Sequence, residues 1–178
     1  MNCLSISFSL LVLFLALSPS IGMPQHFEAG VQKLEKPIEA PDFTLRVLTG
    51  GKISLKDLRG KVVFLNFFSP LDAVCRKEAS SFDKLNEAMK EKEVVLLQIA
   101  TGATEEKAIN FKKEFIISLP ILMDKNRKVG KAYNLSGLPE TFFINREGKI
   151  IGKAFKGGKE WTSPTMLKLI EHLLATGK

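Results

Sequence analysis

Short, wholly apolar runs alternate with amphipathic stretches along most of the chain. Lys61-Val-Val-Phe-Leu-Asn-Phe-Phe68 is too short for a core helix and too apolar to face water, which predicts a buried central strand. Asp72 is a strong N-cap type, and Phe82, Leu85 and Met89 then recur at helical spacing, so a helix is predicted to about Glu91. Val94–Ala100 is a second run rich in β-branched residues and predicts a second buried strand. Thr104 caps a further helix whose Ala108, Phe111 and Phe115 share a face. Ile116–Met123, interrupted by Pro120, reads as an irregular connection, and Asp124 as the start of a short helix ending near Tyr133. Leu138–Asn145, a turn at Arg146–Lys149 and Ile150–Phe155 predict a strand hairpin. Ser163-Pro164 opens a last helix, with Leu167, Ile170, Leu173 and Leu174 as its apolar face.

Upstream of the central strand the pattern is weaker. Phe43–Val47 and Ile53–Leu55 flank the turn Thr49-Gly50-Gly51-Lys52, and Ser54 and Asp57 sit at cap spacing before a helical turn that Gly60 ends. Met23–Glu39 shows little periodicity and reads as a lead-in or tether. Alternation of strands and helices, closed by a hairpin and a helix, predicts one α/β domain over residues 40–178. Its form is a three-layer sandwich with a mixed central sheet and an N-terminal β-hairpin extension.

Composition changes this picture in two places. Met1–Gly22 carries no charged side chain and is apolar from Leu4 to Leu17, as in a secretory signal, with Ser20-Ile21-Gly22 as the cleavage site. The alternative is an uncleaved anchor, although the run falls short of the ~20 residues that a spanning helix needs. Either way the chain is expected outside the cytoplasm, periplasmic or secreted, with membrane contact only if the segment stays. Cys3 lies inside this segment and receives no role, which leaves Cys75 as the one thiol of the mature chain and excludes an intramolecular disulfide. The net charge of +7 comes from Lys and Arg spread among acidic residues, so it predicts a solvated basic surface and no nucleic acid. His26 and His172 lack ligand spacing, Gly50-Gly51 and Gly157-Gly158 read as turns, and Trp161 as packing, so no metal and no cofactor are expected.

Three stretches carry a resemblance. They are Ala40-Pro-Asp-Phe-Thr-Leu45 with Leu58-Arg-Gly-Lys-Val-Val63, then Asn66-Phe67-Phe68 with Leu71-Asp72-Ala73-Val74-Cys75-Arg76-Lys77-Glu78, and Gly137-Leu138-Pro139-Glu140-Thr141-Phe142. Together they resemble the thioredoxin-like redoxin superfamily, meaning the TlpA-like thiol–disulfide oxidoreductases and the AhpC/TSA group that includes peroxiredoxins. The resemblance implies a cis Pro139, with Leu138 presenting its amide and carbonyl to an extended substrate. Those oxidoreductases carry C-x-x-C where this chain reads Asp72-x-x-Cys75.

A carboxylate neither attacks nor forms a disulfide, so dithiol exchange of the family type is expected to be absent. The site residues that the resemblance implies are Cys75, Asp72 and Glu78 for catalysis and Leu138 and Pro139 for substrate. Two functions follow. One is a thiol-based oxidoreductase or antioxidant activity through Cys75 alone, with a protein thiol or disulfide, a small thiol or a peroxide as partner. The other is a binding or adaptor module that keeps the proline platform without catalysis. Both are read as acting as a monomer. Asp72 is a good N-cap in its own right, Cys75 is either a reactive or an inert core-facing thiol, and Glu140 stands where the family has threonine.

Overall fold

The computed structural model describes residues 30–155, 157 and 159–176. The expected signal segment Met1–Gly22, Cys3 and His26 lie outside the described residues. Among the described residues, no helix is long and apolar enough to cross a membrane.

In chain order, β1 (Gln32–Glu39) is followed by β2 (Thr44–Arg46) and β3 (Lys52–Ser54), which pair as a separate antiparallel hairpin. A 3₁₀ turn over Leu55–Leu58 leads into β4 (Val62–Phe68) and α1 (Ala73–Ala88). Next come β5 (Val94–Thr101), α2 (Glu105–Glu114), β6 (Ile121–Asp124) and the short α3 (Lys128–Ala132). The chain closes with β7 (Glu140–Ile144), β8 (Lys149–Ala154) and α4 (Pro164–Thr176). One six-stranded sheet has the order β1-β8-β7-β4-β5-β6, parallel between β4, β5 and β6 and antiparallel elsewhere.

β4 is the axis of this arrangement. Every one of its residues is buried, because it pairs with β5 on one side and β7 on the other and carries a core on each face. Phe64 and Phe68 join Phe82, Leu85, Phe111, Phe143 and Trp161 on one face. Val63, Leu65 and Phe67 join Leu97, Ile99, Tyr133 and Phe142 on the other. Each fully buried Phe or Leu contributes about 2–3 kcal/mol of transfer free energy.

Two expectations need correction. Part of the lead-in predicted over Met23–Glu39 is a strand, since β1 pairs antiparallel with β8 at the sheet edge. Almost all of its side chains face solvent, so no apolar alternation marks it. Its charges and Pro37, beside a register shift, are what an edge strand uses to avoid pairing with other chains. The connection predicted over Ile116–Met123 also contains a strand, β6, buried along its whole length. Four residues after a proline are too few for a periodic signal. The short helix starts later than expected, at Lys128, but Asp124 still caps it. From the end of β6 its carboxylate accepts from the Val129 and Gly130 amides at 3.2 and 2.9 Å.

Candidate functional site

α1 begins where β4 ends, so the first helical turn is held over the carboxyl edge of the central strand. Asp72 is its N-cap. One carboxylate oxygen accepts from the Val74 and Cys75 amides, both at 2.9 Å, so its charge sits on the helix's positive end. Cys75 follows in the first turn and is only 2% exposed, packed with Phe68, Ala79 and Phe82. The Ser69 amide donates to its sulfur at 3.4 Å. Burial pushes the thiol up to about 12, the Ser69 amide opposes this, and the negative charges of Asp72 and Glu78 add to it. The neighbouring cation gives no help, because Arg76 is turned outward. Its guanidinium lies 4.9 Å from the centre of the Phe115 ring, pairs with Glu114 and donates to the Pro70 carbonyl at 3.3 Å.

One turn further along, Glu78 is buried within a polar chain that ties three elements together. Asn66 of β4 donates from its amide to Glu78 at 3.4 Å and to the Thr141 hydroxyl of β7 at 2.9 Å. The Lys159 backbone amide donates to the other Glu78 oxygen at 3.1 Å. Burial raises the pKa of Glu78, and these donors hold the rise down. Asn66 and Thr141 face each other in register, so the sheet itself sets the spacing of this chain.

The third part of the site is the loop from Ser136 to Pro139 that enters β7. The Leu138–Pro139 peptide bond is cis. Pro139 is buried, while Leu138 is half-buried and packs against the cluster that encloses Cys75 as well as against the core on the opposite face. Glu140 braces this loop from beneath. It is 1% exposed, and one carboxylate oxygen accepts from the Ser136 amide at 2.9 Å and from its hydroxyl at 3.2 Å. The other oxygen faces the Lys153 ammonium at 3.5 Å without a hydrogen bond of ordinary geometry. Glu140 therefore faces inward and fixes the backbone of this loop.

The structure thus brings Asp72, Cys75 and Glu78 into two successive turns of α1 and sets Leu138 against the same cluster. The sequence reading missed Asn66, Thr141, Lys153 and the Lys159 amide as partners. One signal was present, a lone asparagine inside an otherwise apolar buried strand, which needs a polar partner. The others are cross-chain contacts that spacing does not announce. Among the described residues no three His, Cys, Asp or Glu side chains gather as a metal site.

Comparison with known proteins fits this geometry. The AhpC/TSA family model matches residues 38–153. The thiol-disulfide oxidoreductase ResA of Bacillus cereus is 35% identical over 144 residues, covering 80% of this chain and 83% of the relative. The solved thioredoxin domain of a thiol-disulfide oxidoreductase from Bacteroides vulgatus is 26% identical, with a TM-score of 0.68 over 79% of this chain and 99% of that one. A thioredoxin-family thiol:disulfide interchange protein from Chlorobium tepidum, 22% identical, shares the fold with a TM-score of 0.67 over 76% and 97% of the two chains. The six-stranded mixed sheet with flanking helices is accordingly thioredoxin-like, and the chain belongs to the AhpC/TSA family, among thioredoxin-fold relatives of the thiol–disulfide oxidoreductase type.

Proposed function

We propose that this chain is a thioredoxin-fold binding module that docks partner polypeptides on the Ser136–Pro139 loop and holds Cys75 as an unreactive core thiol. The observation that carries this reading is the state of Cys75. Cys75 is 2% exposed among apolar side chains, burial pushes its thiol far above neutrality, to about 12, and only the thiolate is the nucleophile. Asp72, standing where the resemblance puts the attacking cysteine, supplies a cap and a negative charge but no sulfur. The loop, by contrast, keeps what docking requires. The amides of Gly137 and Leu138 make no hydrogen bond to the described residues, and Glu140 holds the segment in place. An extended segment of a partner can pair with such a free backbone edge.

The test is the alkylation rate of Cys75 against pH in the purified chain. A slow rate that still climbs above pH 9 is expected, and a plateau well below the ~8.5 of an ordinary thiol would overturn the reading. A second reading is favoured by one contact, the Ser69 amide on the sulfur, which stabilises a thiolate. In that reading Cys75 is oxidised by peroxide to a sulfenic acid, with loss of water, and an external thiol resets it through a mixed disulfide. Replacing Cys75 with Ser separates the two, since it abolishes peroxide consumption in the second and leaves partner binding intact in the first. Export through Met1–Gly22 and action as a monomer belong to the same proposal, the former resting on the apolar, uncharged character of that segment.

A further inference from the structure

A cleft of about 430 Å³ opens beside the docking loop, between α3 and the segment Asn134–Leu138, above the end of β5. Its lining is one-sided in charge. Arg127 and Lys131 both reach it, no acidic side chain lines it, and neither cation makes an ion pair among the described residues. At its base lies Thr101, 8% exposed, whose hydroxyl has no hydrogen-bond partner among the described residues. Leu135 and Leu138 add apolar surface to the wall next to the loop.

The backbone is shaped to hold the arginine there. Arg127 adopts a left-handed φ of 58°, and its guanidinium lies over Gly102, itself at φ 68°, where a Cβ would collide with Nε. A side chain that fits this cleft needs a short methylene stem for the leucines and an anionic head for the two cations. Gly137 and Leu138, whose amides are free, also line the cleft, which favours a side chain carried on an extended backbone over a free small anion.

We propose that the cleft is a specificity pocket for an Asp or Glu side chain of the partner polypeptide docked along Ser136–Leu138. This rests on the binding-module reading and names the class of partner it selects. Positive charge at the pocket steers acidic segments toward the loop and rejects basic ones, because a lysine placed there would face two like charges.

The experiment uses the full-length chain with Cys3→Ser and Cys75→Ser, so that no thiol chemistry contributes. A Cys-free library of acetylated, amidated heptapeptides is selected on the immobilised protein. The best binder is then resynthesised with Glu and with Gln at its enriched position, and both are titrated by fluorescence anisotropy. Enrichment of Asp or Glu at one position is expected, with the Glu peptide binding about tenfold more tightly than its Gln twin. That preference collapses in Arg127→Gln/Lys131→Gln and in Lys131→Gln alone is reduced. It persists in Lys84→Gln/Lys168→Gln, which removes the same charge from exposed positions elsewhere. Peptides that bind without an acidic preference would overturn the pocket and leave the docking loop standing. An acidic preference that survives Arg127→Gln/Lys131→Gln overturns the pocket as well, and so does succinate binding as tightly as the Glu peptide. If no peptide is retained above bare resin, the docking reading and the pocket fall together.

Discussion

The first turn of α1 and the loop before β7 face the same end of the sheet, yet they are built on opposite electrostatic principles. At the helix the positive end of the backbone dipole is occupied by Asp72, and a buried thiol sits behind it with no cation in support. At the loop a buried carboxylate is shared among two Ser136 donors and an ammonium, so its charge stabilises backbone geometry. On the proposed reading, the carboxylate at the helix end quiets chemistry while the carboxylate beneath the loop preserves a surface. The difference teaches that reaction and docking rest on different residues in this scaffold, so one can be altered without the other.

The largest effect is expected from rebuilding the quiet side. Asp72→Cys restores two thiols three residues apart at the helix terminus, and disulfide reduction of insulin should rise from background to catalytic turnover. Failure of the variant to reduce insulin while still folding would mean that the scaffold around Cys75 has also changed. Next is the loop. Glu140→Ala leaves the Ser136 amide without its acceptor and Lys153 without its counter-charge, and should cost about 3 kcal/mol, read as a fall in the urea midpoint. Partner binding should weaken with it, because the same carboxylate holds the docking segment.

A smaller change follows from Asp72→Ala. Loss of the cap costs about 1 kcal/mol, and removal of a charge that raises the thiol's pKa should make alkylation of Cys75 faster at pH 8. The smallest effect belongs to Glu78. Its pKa is raised in the fold because burial disfavours the carboxylate relative to the unfolded chain, so its contribution is fully present below the unfolded carboxylate value and lost as pH rises through the raised one. Glu78→Gln does not titrate. The stability advantage of the unmodified chain over this variant should therefore shrink from pH 4 to pH 7, measured by urea unfolding across that window.

Much of this architecture is legible from the pattern of apolar positions. β4, β5, the β7–β8 hairpin and the helices capped by Asp72, Thr104 and Ser163 follow from burial and capping rules, and Thr104 and Ser163 do accept from Lys107 and Met166 at 3.4 and 3.3 Å. What stays hidden is β1, whose stability comes from backbone pairing at an edge and whose side chains face water, and β6, which is too short to show a period. At the site the sequence places Asp72, Cys75 and Glu78 on one helix. It cannot say that Glu140 turns inward to Ser136 and Lys153, because that depends on a sheet pairing between distant segments.

That pairing also has a consequence during synthesis. Asn66 and Thr141, which lock β4 to β7, are separated by 75 residues. As the chain leaves the ribosome, β4 can zip to β5 early, but its other edge waits until the segment beyond Pro139 has been made. For that interval the most apolar strand of the protein has an unsatisfied margin, which is the condition under which nascent chains stick to one another or to chaperones. The polar pair then acts as a register key, since a one-residue slip on late arrival would set Asn66 opposite Phe142 or Glu140 and take from it the Thr141 hydroxyl.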